Sequence, residues 1–434
     1  MLDLSLDTGW WREVFQQSGH VYQWEFFMNI HETQQCTEIR PARLIAVGNQ
    51  IHLQAAVTEH SFSAELERIV NLAVPHLAID RPNLVALGEF LGLPLAITGR
   101  RGYLSRYMHT ANVAISMLAL GYTRRMLHYR RLYPGISLVR SLFLSLSDVL
   151  YRPFESTLSR VAAKHSIYLS ATTVTPHVLC STSTVDINRF GRRNSGKVYL
   201  PDGPGVYNTS FLWGPDGQLI GTTEKVYLAD SEKATFDLTP GELDSVQAFE
   251  TEIGKIGMAI SLDAFAPEYL QKLDSLGASI VIQNDARDLP WAGPSRTCEW
   301  QPQEQLNSVL GSLQDDYPHL SFNICPMQVG NFFDVTFDGQ STITRKSDNE
   351  PDPYCNFVGN NGFVHTMTGK AMKGDILAIS PWVEEDLIKS KAKIALAERR
   401  SALEQVARQL LPGGARANQY SESVIWADVD VPVW

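Results

Sequence analysis

The chain is 434 residues long and 44% hydrophobic, with 30 glycines, 22 prolines and no repeated or low-complexity segment, which predicts a soluble protein with a substantial core. That length fits either one large α/β core with additions or two domains. A formal net charge of −10 argues against nonspecific nucleic-acid binding by the whole chain, because such binding needs clustered Lys and Arg to neutralise phosphates.

The five cysteines (Cys36, Cys180, Cys298, Cys325 and Cys355) form no CxxC pair and lack the spacing of a zinc site, so free thiols in a reducing compartment are expected. Asp3, Asp7, Trp10, Trp11 and Glu13 stand where an export signal needs a basic and then an apolar run, so no export is expected. The uncharged stretch Tyr107 to Thr123 spans about 17 residues and includes His, Asn, Thr, Ser and Gly, poor material for crossing a bilayer. The expected location is cytoplasmic.

Residues 1–42, rich in Trp, Gln and Glu with weak periodicity, read as an N-terminal extension. Leu44–Gln50 predicts a first strand, followed by a helix with Leu66, Ile69, Val70 and Ala73 on one face that ends near Pro75. Asn83–Phe90 is a second buried strand, with the carboxylate of Glu89 at its end. A longer segment, about 91–147, shows Leu104, Met108, Ala111, Ile115 and Leu118 at helical spacing.

Phe154–His165 predicts a helix and Ile167–Thr173 a strand. Tyr207–Trp213 and Gln218–Val226 form a hairpin across a Pro215-Asp216-Gly217 turn. Ile256, Met258 and Ile260 alternate with small residues in a strand that stops at Ser261, and Pro267, whose missing N–H costs nothing there, opens a helix. Ala278–Gln283 is a strand ending in Asn284-Asp285, Cys298–Leu320 is largely helical, and Phe322–Asn331 and Thr336–Thr344 are strand-like.

A long helix is expected over Val383–Leu411, its start marked by Ser380, Pro381 and the acids Glu384, Glu385 and Asp386, which complement the helix dipole. Its Leu396, Leu403, Val406 and Leu410 suit a core or dimer contact. A strand at 423–429 closes the chain. The alternation from 43 to 345 predicts an α/β protein whose sheets are covered by helices on their outer faces.

Three polar residues end or punctuate apolar strands: Glu89, Lys225 and Ser261. The text around them is Leu87-Gly88-Glu89, then Asn208-Thr209 with Pro215-Asp216-Gly217 leading to Lys225, then Gly257 to Ser261-Leu262-Asp263 with Pro267-Glu268. This ordered set resembles the nitrilase or carbon–nitrogen hydrolase superfamily, over roughly residues 43–90 and 150–345 and the last strand. The resemblance implies a four-layer αββα sandwich, usually dimeric, that hydrolyses amides or nitriles without metal or cofactor. On that basis the expected organisation is an N-terminal extension (1–42), a hydrolase-like domain (43–345) carrying the helical insertion, and a C-terminal extension (346–434) whose final strand joins the sandwich.

The family's chemistry assigns a role to each residue type. The glutamate, here Glu89, takes the nucleophile's proton; the lysine, Lys225, stabilises the oxyanion; and a thiol forms an acyl-enzyme that water cleaves. Glu232, seven residues past Lys225, stands where the family often has a second, substrate-positioning glutamate; its other reading is a solvated acid. Asn284 and Asp285 also fall in the family's order, and the resemblance implies substrate contact for them.

The departure is at the nucleophile, where Ser261 occupies the cysteine's position. A hydroxyl is far less acidic than a thiol, whose ordinary pKa is about 8.5, and a carboxylate is a weak base for it. An engineered substitution, a natural loss of activity and a serine-adapted site each fit, as does a small polar residue filling a turn. Two functions follow: an amidase acting on a linear amide, or a catalytically silent relative that binds a ligand or partner.

Other motifs fail. Gly191 to Lys197 matches a phosphate-binding loop until Val198, where Ser or Thr is required, and the chain has neither GxSxG nor HExxH.

Between Phe90 and Ser147 lie eight arginines (100, 101, 106, 124, 125, 130, 131 and 140), no lysine and no acid, leaving 29 of the chain's 37 basic residues against 47 acids elsewhere. Coming directly after Glu89, this segment could form a lid whose arginines select an anionic substrate or seat on an anionic membrane or acidic partner. The alternative is pairing with acids of the same protein, including across a dimer interface.

Overall fold

Parallel strands that end in polar residues set the architecture of the protein, seen in a computed structural model that describes residues 36–50, 52, 55–192, 195–288, 291, 301–349, 373–380 and 422–434. In chain order, β1 (Glu38–Gln50) leads to α1 (Glu59–Ala73) and β2 (Asn83–Leu87), then to α2 (Ala111–Leu132) and α3 (Leu138–His165). β3 (Tyr168–Thr175), β4 (Val178–Ser181), α4 (Thr184–Phe190) and β5 (Val198–Pro201) precede the hairpin of β6 (Tyr207–Trp213) and β7 (Leu219–Glu224). Next come α5 (Asp230–Ala234), β8 (Ala248–Thr251), β9 (Gly254–Ile260), α6 (Pro267–Ser275) and β10 (Ile280–Ala286). The last elements are α7 (Gln301–Gly311), β11 (Phe322–Cys325), β12 (Met327–Phe332), β13 (Val335–Phe337), β14 (Thr342–Arg345), β15 (Asp375–Ile379) and β16 (Ser423–Val433).

Two halves share one pairing pattern. In the first, β16 runs antiparallel to β1, β1–β2–β3 are parallel, and β6 and β7 follow antiparallel. In the second, β8 runs antiparallel to β9, β9–β10–β11 are parallel, and β14 and β15 follow antiparallel. Short parallel pairings of β12 with both β1 and β10 join the halves.

Alternation along the strands sends one set of side chains between the halves. Leu44, Ala46, Leu84 and Ala86 meet Ile256, Met258, Ile280 and Ile282 there. The opposite set faces helices: Ile45, Val85 and Leu169 pack with Phe62, Leu66 and Ile69 of α1 and Phe154 and Leu158 of α3. On the other side Ala259 and Val281 pack with Tyr269, Leu270 and Leu273 of α6. The result is a four-layer αββα sandwich.

Local chemistry explains several boundaries. Thr58 caps α1, accepting from Ser61 N–H while the Ser61 hydroxyl accepts from Thr58 N–H at 2.9 Å. α6 opens on Pro267. Pro326 separates β11 from β12, which the sequence joins into one strand, because proline donates nothing to a ladder. β1 begins at Glu38, inside the expected N-terminal extension, because residues from Glu38 to Gly48 pair with β16. α3 starts at Leu138 rather than near Phe154, even though Pro153 lies inside it. The expected long helix over Val383–Leu411 lies outside the described residues, as do residues 1–35.

The insertion differs from the single helix expected from Leu104 to Leu118. Residues Leu93–Ile97 and Ser105–Tyr107 form short 3-10 turns, and α2 begins only at Ala111, with Thr110 as N-cap. Ala114, Leu118, Tyr122 and Met126 of α2 then join the apolar cluster on the outer face of the first half. Among the described residues no helix is long and apolar enough to cross a membrane.

Candidate active site

Glu89 sits two residues beyond β2, at a corner built by close backbone approach. A Cβ on Gly88 would stand 2.5 Å from the Gln328 backbone nitrogen of β12, so only glycine lets the two segments pass. Glu89 N–H donates to Asp285 O at 3.2 Å, and Phe90 N–H donates to Thr172 Oγ1 at 2.7 Å. Phe90 itself has φ 61°, a left-handed conformation disfavoured for a bulky side chain. Gly88→Ala is expected to cost about 1–3 kcal/mol by overpacking and to lower any activity that depends on Glu89. Urea unfolding of the variant checks this, and a midpoint equal to the parent's would mean that the two segments can part at no cost.

Lys225 follows β7 and is held by its backbone. Its N–H donates to Asn208 O and its carbonyl accepts from Gly241 N–H, each at 2.8 Å. Its ammonium lies 2.8 Å from Glu89 Oε1 and 2.8 Å from Glu232 Oε2. Asn208 Nδ2 closes the arrangement from the other side, donating to Glu89 Oε1 at 2.7 Å and to Glu232 Oε1 at 2.8 Å. None of these four side chains is more than 2% exposed. Glu232, on the single turn of α5, also accepts from Ala229 N–H at 2.7 Å, so it is a buried member of the cluster and not a solvated acid.

Two carboxylates therefore share one ammonium away from water. Burial opposes the charge on each group, and the second negative charge is the one most resisted. Glu89 is pushed up to about 8, by burial first, with Glu232 and Asp285 adding to the shift against the pull of Lys225. For Lys225 burial works toward loss of the proton, but the two facing carboxylates outweigh it and hold the pKa above the ordinary lysine value.

Ser261 is the first residue of a 3-10 turn, Ser261–Phe265, at the end of β9. Its φ is 49°, again left-handed, a position glycine would take without strain. Such strain costs of order 1–3 kcal/mol and gathers at functional sites. Asp263, two residues on, ties this turn to the lysine. Its Oδ2 accepts from Ile260 N–H at 3.1 Å, and its Oδ1 from Val226 N–H at 3.0 Å and Tyr227 N–H at 2.8 Å, the two residues after Lys225. Burial pushes Asp263 up to about 7, opposed by the three N–H donors and by Lys225.

The structure thus brings Glu89, Lys225 and Glu232 into direct contact and links the Ser261 turn to them through Asp263. Asn284, expected to bind substrate, instead bonds the sandwich together. Its Nδ2 donates to Leu87 O at 2.7 Å and its Oδ1 accepts from the Ser210 hydroxyl at 2.7 Å, so both ends of its amide are engaged. Asp285 lies behind Glu89, accepting its N–H through the backbone carbonyl, and its carboxylate is fully buried.

Sequence reasoning did not assign roles to Asn208 and Asp263, although both stand within the motif text. A buried amide between two acids and a carboxylate two residues past the nucleophile position are the signals that could have found them. Of the cysteines, Cys36 and Cys180 are exposed, and Cys325 is buried in β11, where burial keeps its thiol protonated. Cys298 and Cys355 lie outside the described residues.

An αββα sandwich carrying a buried Glu–Lys–Glu cluster beside a strained strand-end residue defines a class of site, and comparison with known proteins supplies the family. The family model described as carbon–nitrogen hydrolase matches residues 152–402, more than half of the chain. The protein belongs to the carbon–nitrogen hydrolase family, within the nitrilase superfamily. Similar proteins include the omega-amidase NIT2 of Mus musculus, 29% identical over 166 residues that cover 36% of this chain and 49% of that protein. A nitrilase of Pyrococcus abyssi is 33% identical over 91 residues, covering 21% of this chain and 33% of its own length. The chain spans about half or less of the length of these curated relatives. Among solved structures, Saccharomyces cerevisiae Nit3, a member of branch 10 of the nitrilase superfamily, aligns with a TM-score of 0.46 and 14% identity over 90% of each chain.

Proposed function

We propose that the protein hydrolyses a linear amide through an acyl-enzyme on Ser261. The observation that carries this reading is the buried Glu89–Lys225–Glu232–Asn208 cluster, joined by Asp263 to the turn that presents Ser261. Burying two acids and an ammonium costs several kcal/mol per ion in desolvation, which argues for a chemical use. Ser261 Oγ attacks the amide carbon and passes its proton to Glu89, while Lys225 faces the oxyanion. Glu89 then returns the proton to the departing nitrogen as the C–N bond breaks. Water attacks the resulting ester, giving a proton to Glu89, which passes it to Ser261 Oγ as the acyl–oxygen bond breaks and the carboxylic acid leaves. Glu232 orients the substrate and holds Lys225 in place. The relatives named above, an omega-amidase and a nitrilase, support an amide or nitrile substrate.

A second reading, a silent relative that binds its ligand without turnover, is favoured by one observation. No described residue hydrogen-bonds the Ser261 hydroxyl in the free protein, so nothing there is yet positioned to take its proton.

One experiment separates the two. The parent, Ser261→Ala and Ser261→Cys forms are assayed on linear amides and nitriles, with intact-mass spectrometry for a retained acyl group. Serine catalysis predicts turnover in the parent and a loss on the order of 10³-fold or more in Ser261→Ala. Activity confined to Ser261→Cys would instead establish a lost nucleophile in a competent site. Absence of turnover and acylation in all three forms would remove the amidase reading.

A further inference from the structure

Of the eight arginines in the insertion, Arg140 alone has a carboxylate partner among the described residues, Asp237 at 2.7 Å. Arg106 is spent on backbone carbonyls, with Ile97 O at 2.8 Å and Gly99 O at 3.1 Å. Arg100, Arg101 and Arg125 do something else: they line one cavity of about 480 Å³, together with Arg192 from beyond α4. That volume suits a small-molecule site. Glu89, Lys225, Glu232 and Ser261 are not among its lining residues.

Arg125, from the middle of α2, is only 9% exposed. Its Nη1 reaches Ser145 O at 3.5 Å, a marginal contact, and its buried Nε has no partner among the described residues. The guanidinium instead lies 5.8 Å from the ring centre of Tyr122 and 5.9 Å from that of Phe190, both of which line the same cavity. Arg101 stands 5.0 Å from the Tyr122 ring. Burial, with Arg101 adding like charge, lowers the Arg125 pKa from its ordinary value. Two carboxylates line the cavity, and both are committed elsewhere: Glu59 to Arg192, and Asp148 to Arg152 and Tyr199 N–H. A buried, unpaired guanidinium is costly unless something anionic arrives.

We propose that this cavity is a second binding site, for a small soluble compound bearing a phosphate or diphosphate group, held by Arg100, Arg101 and Arg125 and flanked by Tyr122 and Phe190. Among the described residues these three guanidiniums have no carboxylate partner; their combined charge exceeds what a single carboxylate can neutralise, and their planar forks match the several oxygens of a phosphate. The recessed position of Arg125 favours a small ligand over a flat lipid surface. Filling the cavity would bridge α2 to the segment after β2, which leads back to Glu89.

The test uses the full chain and sodium pyrophosphate, with sodium chloride at matched ionic strength as control, read by calorimetric titration and thermal unfolding. Pyrophosphate is expected to raise the unfolding temperature of the parent beyond the salt control. Arg125→Met and Arg101→Gln should each weaken its Kd by about 10- to 100-fold, the loss of a charge-assisted contact. Without pyrophosphate, Arg125→Met should be as stable as the parent or more so, because it removes an unpaired buried charge; a structural arginine would show the opposite. If Arg125→Met does not fold, a structural role is indicated and the site is overturned unless the exposed Arg101→Gln still abolishes the response. Equal shifts in parent and variants, or none above the control, would overturn it as well. Sedimentation with phosphatidylserine vesicles in the absence of a pyrophosphate response would replace it with a membrane contact.

Discussion

Replacing Lys225 with methionine is expected to cost about 3–5 kcal/mol of stability near pH 8 and to abolish hydrolysis. The ammonium is the single cation between Glu89 and Glu232, each 2.8 Å away. Methionine roughly fills the stem's volume, so the loss is electrostatic and not a cavity. With the cation gone, two carboxylates tied to one Asn208 amide would face each other without water to screen them. They can escape only by taking up protons, so the variant should recover stability as the pH falls. Urea unfolding at pH 5 and pH 8 measures this. A cost below about 1 kcal/mol, the range of an exposed pair, and equal at both pH values, would show that the three charges are not coupled.

The pH dependence of catalysis should carry the signature of Glu89. With its folded pKa raised from 4.5 to about 8, the carboxyl is protonated below that value and cannot accept the nucleophile's proton. Log kcat/KM is therefore expected to climb with pH and level off above about 8, and Glu89→Gln should lose about 10²- to 10⁴-fold together with that rise. Stability runs the other way. An acid whose pKa is raised by folding binds its proton more tightly in the folded state, so its contribution falls as pH rises from about 4.5 to about 8. Glu89→Gln should flatten that slope. A parent profile that levels off near pH 5 would place the proton acceptor elsewhere.

Much of the candidate site could be read from the sequence because it depends on strand ends. Alternating apolar runs stop at Glu89 and Ser261, and a Pro-Asp-Gly turn fixes the hairpin that delivers Lys225. Elements whose signal is local survived as expected: α1 with its five apolar residues, the β6–β7 hairpin, and α6 opened by Pro267. The insertion did not, since apolar spacing from Leu104 to Leu118 ignores the capping competition at Thr110 that starts the helix at Ala111. Likewise the β11–β12 break at Pro326 needs the partner strands, because β12 changes neighbours to bridge β1 and β10.

Asn284 shows the limit most clearly. Its sequence position suits a substrate contact as well as a structural one, and only its distances to Leu87 and Ser210 decide between them. Glu232 is the reverse case: flanked by Ser231 and Lys233 it reads as surface, yet its neighbours in space are Lys225 and Asn208.

By itself the sequence determined the residue types at the strand ends and the α/β layering, which follow from periodicity along the chain, and its resemblance to the family implied a cysteine where Ser261 stands. The tertiary structure decided which charges share a dielectric. Glu89 and Glu232 lie 136 and seven residues from Lys225 along the chain yet meet it at hydrogen-bond distance, and Arg125 has no carboxylate partner among the described residues. Coulomb energy and desolvation depend on distance and burial, quantities that residue order along the chain does not carry.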